Sequence, residues 1–572
     1  MSPPSDEGEN VMLRQPLEDL IDVLDRQIVG DYKTKVSVLL TGVSAYTPCP
    51  LNLYLRGTPG SGKSYNATRV LRVFPKEDVW KIGKLSPTAL VHQRGELYSE
   101  DGSKLEMPKR EEYGDLNEYR KARREYEEKA KSGHYRVFMH GKILLFLDAP
   151  HPETFHMLYP ILSHDEWEID YRITEKTKWG GLQTKHVKIV GWPATVFIRG
   201  REETVPEEFR RRCLIVCPEE GKEKVEKVNA LTHKLNAYPW IKREIELDYD
   251  RARVWLSNLK SSLLKLADIC IPFEDIDKFY PAEVTADMTE FSFLENFIKT
   301  IAALNYYQRP RLKTDMGEIL LASESDVKDG WAIFLNLFET SRTGLSQHLL
   351  DFYYKCLVPL GSFHISEAVE KYNGTFKPRR SKRTIMNYLK ILEETSYLTS
   401  DEDPQDGRKV IYKTIQNGKI VQNYANSDFA RILTSDLEEN FEKWRKNLGN
   451  NFPIYIINKE DGTEKPVTVD QLHTYIIYNK TCLRKFYSVF YSPILEKSPE
   501  NHAKIDFAQI CTNLKRLNRI DGKLLPTEKC CLCGKHPVDY QVTWLDDSWG
   551  LLCEECGRQL EKIHQEGKLD GS

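Results

Sequence analysis

No stretch of this 572-residue sequence approaches the ~18–20 consecutive apolar residues needed to cross a bilayer, so no membrane span is expected. The first ten residues are polar and acidic and lack the apolar core of a secretory leader, which points to a cytoplasmic location. A strong charge of either sign is also missing. Lysine and arginine number 82 against 85 acids, a net −3, so the surface as a whole is not built to coat a polyanion. Any contact with nucleic acid then falls to local basic patches. Internal repeats and low-complexity tracts are absent too, which sets aside repeat architectures. What remains is 40% hydrophobic and 29% charged, the balance of a globular protein, and too long for one core. Three or four domains are expected.

The twelve cysteines fall into two groups. Cys49, Cys213, Cys217, Cys270, Cys356, Cys482 and Cys511 are scattered and read as free thiols, most of them buried. The remainder crowd the C-terminal end. There Cys530, Cys533, Cys553 and Cys556 form two C-x₂-C knuckles at a spacing common for zinc, with Cys531 a spare and Gly534 and Gly557 after the knuckles. Four thiolates supply the tetrahedral sulfur shell that structural Zn²⁺ prefers and leave no open position for catalysis. The surrounding acids (Asp546, Asp547, Glu554, Glu555) make this module a poor DNA surface.

Along the chain, residues 1–15 read as a frayed tail, and helical spacing runs from Leu17 to Leu40. A charged stretch over 100–133 alternates in sign and reads as a solvated helical insertion. Residues 221–345 are mostly helical in pattern. The stretch 417–520 is a mixed region without a legible role.

Between an apolar strand (51–55) and a helical segment (65–73) lies Gly57-Thr58-Pro59-Gly60-Ser61-Gly62-Lys63-Ser64, which matches G-x-x-x-x-G-K-[ST] at every position. Glycines let backbone N–H groups turn toward phosphates, and the following helix offers its positive end. Lys63 is expected on the β- and γ-phosphates of ATP, and Ser64 on Mg²⁺. The partner acid is Asp148, which ends the apolar run Ile143-Leu144-Leu145-Phe146-Leu147. Ala149 follows it where such strands usually carry a glutamate. The nearest carboxylate is Glu153; a base from elsewhere, or a slow ATPase that chiefly binds nucleotide, are the alternatives.

Trp167, Ile169, Tyr171 and Ile173 alternate with polar residues, and a return strand covers 182–190, with Gly180-Gly181 between them. Lys176, Lys178, Trp179 and Lys185 at its tip offer cations and an indole, which suit phosphates and bases. An ordinary surface hairpin fits as well. Arg210-Arg211-Arg212 follows a Pro206-Glu207-Glu208-Phe209 run. Arg212 first, and Arg211 second, are the choices for a residue that reaches a neighbouring subunit's nucleotide; a solvated helix end competes on equal terms.

The opening Ile28-Val29-Gly30-Asp31-Tyr32-Lys33, the glycine loop, the strand ending at Asp148 and the hairpin before strand 195–198 together resemble minichromosome-maintenance helicases and related AAA+ motors. Superfamily-3 helicases and viral or plasmid replication ATPases fit nearly as well. Within that resemblance the sensor-1 asparagine is not evident, Arg199 standing near its place, and no sensor-2 arginine precedes Leu294-Glu295. The resemblance implies an AAA+ ATPase core over 16–220 and a helical lid over 221–345. It also implies a homo-oligomeric ring, a hexamer by preference, with the hairpin gripping DNA.

Residues 346–416 resemble a winged helix-turn-helix domain. Ile385, Tyr388, Leu389 and Leu392 form the apolar stripe of its second helix, at spacings of three and four. Six basic residues and no acid lie between Lys377 and Lys390. Lys377, Arg379, Arg380, Lys382 and Arg383 are therefore the expected DNA contacts, with protein docking as the alternative. The fold expected is multidomain α/β: a P-loop core, a helical lid, the winged helix, and a zinc-ribbon or treble-clef module over 521–572. Two other functions stay open beside an ATP-driven DNA helicase or replication-initiation motor. One is a nucleotide-gated DNA-binding regulator or loader. The other is a signalling or defence ATPase with protein partners.

Overall fold

A computed structural model describes residues 15–83, 95–148, 152–176, 182–199, 210–280 and 285–343. It also describes 345–415 apart from 346, 378, 396 and 404–409, and 431–477 apart from 434, 449–451 and 458–462. Phe490 and the backbone at 511–516, 538–544 and 549–553 complete it. The side chains at 153 and 173–185 fall outside the description.

In chain order the first region contributes strands β1 (Asn52–Leu55), β2 (Val79–Ile82), β3 (Glu96–Tyr98), β4 (His134–Phe138), β5 (Ile143–Phe146), β6 (Glu168–Lys176), β7 (Leu182–Val190), β8 (Ala194–Ile198) and β9 (Leu214–Val216). Its helices are α1 (Pro16–Asp25), α2 (Tyr32–Ser44), α3 (Lys63–Val70), α4 (Leu116–Ser132) and α5 (Pro152–Ser163). Five of the strands form one parallel sheet in the order β2-β5-β8-β1-β9.

Such a sheet is covered on both faces, so its inner strands are largely apolar and alternate residues enter different cores. Leu53, Leu55, Ile143, Leu145, Val196, Ile198, Leu214 and Val216 face one core; Tyr54, Leu144, Phe146, Phe197 and Ile215 face the other. Phe146 and Phe197 stack with centroids 4.6 Å apart on the second face. Each such side chain contributes about 1.5–3 kcal/mol by leaving water.

The first core is filled by helices, among them α7 (Ile241–Leu263), α8 (Thr285–Leu304) and α9 (Glu324–Thr343), while α6 (Lys222–Ala237) has no buried residue and rests only Leu235 against it. The second face carries a smaller sheet, β3-β4-β7-β6. The 167–190 hairpin is thus one edge of a four-stranded sheet rather than a free ribbon. Val187 and Ile189 of β7 and Val137 of β4 seat it on the core.

Three sequence expectations need correction. Helical spacing over 17–40 is broken into α1 and α2, because Gly30 (φ 60°) and Asp31 (φ 54°) take the left-handed conformation between them. The charged insertion is helical only over Leu116–Ser132, a helix with no buried residue. The mostly helical region 221–345 also holds strands Leu266–Cys270, Arg311–Thr314 and Gly317–Leu321. These join Ile454–Ile457 and Glu464–Pro466, from the stretch that carried no legible role, in a second five-stranded sheet. Buried polar groups brace it. Arg309 donates to both carboxylate oxygens of Asp326 at 2.6 and 2.7 Å, and Asn305 and the Ser323 amide add to the same acid.

Further on, strand Ser362–His364, helices α10 (Ile365–Thr375) and α11 (Lys382–Glu394), and strands Leu398–Glu402 and Val410–Thr414 form a compact module. The last strand lies between the other two, antiparallel to both. Ile385, Tyr388, Leu389 and Leu392 are all buried in its core, as their spacing requires. At the C-terminal end the strands Cys511–Arg516, Val538–Trp544 and Trp549–Cys553 pair antiparallel.

Candidate functional site

The glycine loop leaves β1 and enters α3 at the carboxyl edge of the parallel sheet. Three glycines hold conformations that side chains rarely adopt: Gly57 (φ 155°), Gly60 (φ 85°) and Gly62 (φ 95°). A Cβ on Gly57 would also meet Ser61 Oγ at 2.9 Å. Gly62 is the N-cap of α3 and offers no side chain, so the first N–H groups of that helix point at the loop uncapped by a side chain. Lys63 is buried and its Nζ donates to the carbonyls of Gly57 (2.8 Å) and Thr58 (2.6 Å) and to Ser61 Oγ (3.3 Å). Burial lowers its pKa, with the Glu220 charge opposing.

A second layer of charge holds the loop from behind. Asp31 is buried and accepts from Asn66 Nδ2 (2.5 Å) and the Glu219 amide (2.7 Å), and pairs with Lys224 at 2.6 Å. Lys224 Nζ also donates to the Ser61 carbonyl at 3.0 Å. Glu220 Oε1 accepts from both Thr58 N (3.2 Å) and Thr58 Oγ1 (2.7 Å). None of Asn66, Glu219, Glu220 or Lys224 was legible as a site residue. Only the Gly30-Asp31 pair carried a local signal, a dipeptide suited to positive φ.

The loop opens on a cavity of about 1330 Å³ whose walls include Gly57, Thr58, Pro59, Gly60, Ser61 and Gly62. Its lining also includes Tyr372, Phe376, Lys377 and Arg380 of the two-helix module. Asp148 follows β5 and is exposed at the same sheet edge. Strand β8 lies between β5 and β1, which sets Asp148 two interstrand spacings, roughly 10 Å, from the root of the loop. At the end of β8, the Arg199 amide donates to Leu55 O at 3.1 Å, and its guanidinium hydrogen-bonds Tyr54. Ser64 is exposed in the first turn of α3.

Other expected residues lie elsewhere. Arg211 and Arg212 precede β9 and therefore sit at the amino edge of the sheet, away from the loop. Arg211 is exposed; Arg212 lies over the Tyr159 ring at 4.7 Å and donates to Ser163 Oγ at 3.2 Å. Glu153 belongs to the first turn of α5, its side chain outside the described residues. Lys176 and Lys185 are placed by their backbone in β6 and β7, and Lys178 and Trp179 lie outside the described residues. Of the expected zinc ligands, Cys553 ends the last described strand and Cys530, Cys533 and Cys556 fall outside the description. Arg379, Lys382 and Arg383 are exposed on the two-helix module.

These elements define a multidomain α/β protein whose parallel sheet carries a glycine-rich loop at its carboxyl edge. No family model and no curated protein matches the chain. Among solved structures it is similar to a candidate ATPase from Cytophaga hutchinsonii (13% identity, TM-score 0.28, covering 59% of this chain and 92% of that one). It is also similar to the Aeropyrum pernix Orc1 protein in complex with DNA (11%, TM-score 0.19, 75% and 97%) and to Cdc6p from Pyrobaculum aerophilum (13%, TM-score 0.16, 76% and 98%). At such overlap the likeness fixes no activity, and the chemistry rests on this chain's own residues. Among the described residues no helix is long and apolar enough to cross a membrane.

Proposed function

We propose that the chain is an ATPase of the AAA+ type that couples hydrolysis to work on DNA, as a helicase or replication-initiation motor. The observation that carries the reading is Lys63 at a strand-to-helix turn of positive-φ glycines, with the Asp148 acid on the same edge of one parallel sheet. Backbone N–H groups and Lys63 would bind the triphosphate. The exposed hydroxyl of Ser64 and carboxylate of Asp148 are oxygen donors of the kind Mg²⁺ takes, and the ion would neutralise charge on the transferred phosphoryl group. Glu153 is the carboxylate proposed to orient the attacking water. Arg211 and Arg212, at the far edge of the sheet, are proposed to act on a neighbouring subunit in a six-membered ring.

The hairpin supports the DNA half of the reading. Strand β4 pairs with β7 only at Val187–Val190, while β6 and β7 pair through to Lys176 and Leu182. Five cross-strand pairs, roughly 17 Å of ribbon, therefore run past the edge of β4 toward Lys178 and Trp179. The two helices and three-stranded antiparallel sheet over 362–414 support reading this module as a winged helix, proposed as a second DNA surface. The C-terminal cysteines are proposed to hold one structural Zn²⁺, on their spacing alone.

A second reading rests on Ala149, which stands where a water-polarising acid is usual: a nucleotide-gated DNA-binding regulator or loader with little hydrolysis. Purified protein assayed for ATPase activity with and without single- and double-stranded DNA separates them. The motor reading expects DNA-stimulated turnover that falls about 10²–10³-fold in Lys63→Ala. It also expects stimulation, but not basal turnover, to vanish in a Lys176/Lys178/Trp179 triple-alanine variant. DNA-stimulated hydrolysis that survives Lys63→Ala sinks the reading.

A further inference from the structure

The six basic residues between Lys377 and Lys390 do not share one surface. All five of Lys377, Arg379, Arg380, Lys382 and Arg383 are exposed, but only Lys377 and Arg380 line the cavity that the glycine loop opens on. We infer that the nucleotide pocket is completed in cis by the two-helix module, with Lys377 and Arg380 as contacts to a nucleoside triphosphate rather than to DNA. The inference rests on the proposal that the loop binds such a nucleotide.

The local build favours this. Arg380 sits in the turn between α10 and α11, and Asn373 clamps its backbone from both sides. The Arg380 amide donates to Asn373 Oδ1 at 2.7 Å, and Asn373 Nδ2 donates to the Arg380 carbonyl at 3.2 Å. The guanidinium therefore leaves from a fixed point. His348 lines the same cavity as this turn and the loop. Its Nε2 lies 2.7 Å from the Tyr372 hydroxyl, and its ring feels the charges of both Glu220 and Arg380. Glu220 in turn accepts from Thr58 of the loop. The same cavity is thus lined by the loop residues Gly57 to Gly62 and by a guanidinium, an ammonium and the half-buried Phe376.

The chemistry suits a triphosphate. A guanidinium binds two phosphate oxygens at once, and both ions are charge-assisted donors at the cavity's rim. A bound triphosphate would then join the module to the ATPase core and draw two of its cations away from any polynucleotide. The module would report nucleotide state directly, with no subunit contact required.

The test titrates a fluorescent non-hydrolysable ATP analogue, and separately a DNA duplex without nucleotide, into wild type, Lys63→Ala, K377A/R380A and K382A/R383A. Expected is a loss of about tenfold or more in nucleotide affinity for K377A/R380A, with duplex affinity within about threefold of wild type. K382A/R383A is expected to show the reverse. Arg380→Lys, which keeps charge and loses the fork, should recover part of the nucleotide affinity, an outcome that misfolding would not give. Binding of the analogue by K377A/R380A at wild-type affinity, while Lys63→Ala loses it, overturns the inference and leaves the ATPase reading standing. Failure of wild type itself to bind the analogue overturns both.

Discussion

The two edges of the parallel sheet are both rich in polar groups, yet they use them in opposite ways. At the carboxyl edge, backbone conformation is costly and donors face a cavity: three positive-φ glycines, an uncapped helix start and a buried lysine on loop carbonyls. At the amino edge, polar atoms find one another. Asn52 Nδ2 donates to Leu162 O at 3.0 Å and its Oδ1 accepts from Thr195 at 2.8 Å. Asp78, fully buried, accepts from Tyr46 (2.9 Å), Lys142 (3.2 Å) and Lys260 (2.7 Å). Polarity alone therefore does not mark a site. What marks the carboxyl edge is a helix start with no side-chain cap, entered from a glycine loop that opens on a cavity. The strands also keep the edges about 15 Å apart, so Arg211 and Arg212 cannot reach the loop of their own chain.

If the amino edge is structural, its substitutions should cost stability. The largest effect is expected at Asp78. Asp78→Ala removes the acid shared by β2, β5 and α7 through Lys142 and Lys260. Breaking a buried pair typically costs about 3–5 kcal/mol. Here the low end, about 3 kcal/mol, is expected, because both lysines keep about a quarter of their side-chain surface and can regain water. Denaturant unfolding measures it. A loss below about 1 kcal/mol would erase the contrast between the edges.

A smaller effect depends on pH. His164 holds a left-handed backbone (φ 60°) beside the Trp192 ring, and burial pushes its pKa down to about 4. The unfolded imidazole titrates near 6.5. Between those values the unfolded chain binds a proton that the folded chain refuses, so stability falls as pH drops from 6.5 toward 4. The full linkage is up to about 3 kcal/mol by pH 4. His164→Asn keeps a residue tolerant of that backbone and should flatten this part of the pH curve. His140 is lowered by burial in the same direction, so the difference between variant and wild type is the measured quantity. Parallel curves would show that His164 is solvated.

How much of this was legible follows the range of the signal. The glycine loop is eight adjacent residues whose geometry is dictated locally, and the alternation of β1, β5 and β8 is a consequence of two covered faces. Strand β2 was missed because its four residues include Lys81 and are largely half-buried, and β4 because it follows a highly charged helix and starts with His134-Tyr135-Arg136. The second five-stranded sheet joins residues 142 positions apart, Leu312 with Ile454, which no local pattern announces. The place of Lys377 and Arg380 in the lining of the cavity beside the glycine loop was hidden for the same reason. A run of six cations looks uniform in sequence and is divided only by folding.

The smallest effect sharpens what anchors the hairpin at the amino edge. Lys188 Nζ lies 2.6 Å from Glu168 Oε1 across β6 and β7, which looks like a clamp on the base of the ribbon. Both side chains keep about a third of their surface, and the hydrogen bond holds the Glu168 carboxyl below the usual carboxylate range. Exposed pairs of this kind return about 0.2–1 kcal/mol, since holding two long side chains offsets most of the attraction. Lys188→Ala should cost no more than about 0.5 kcal/mol, and less still in high salt. The base is held instead by Val187 and Ile189 on the core and by the β4–β7 ladder. A salt-sensitive loss above about 1.5 kcal/mol in Lys188→Ala would show the ion pair, not the apolar seat, to be the anchor. The amino edge would then owe its rigidity to charge rather than to packing.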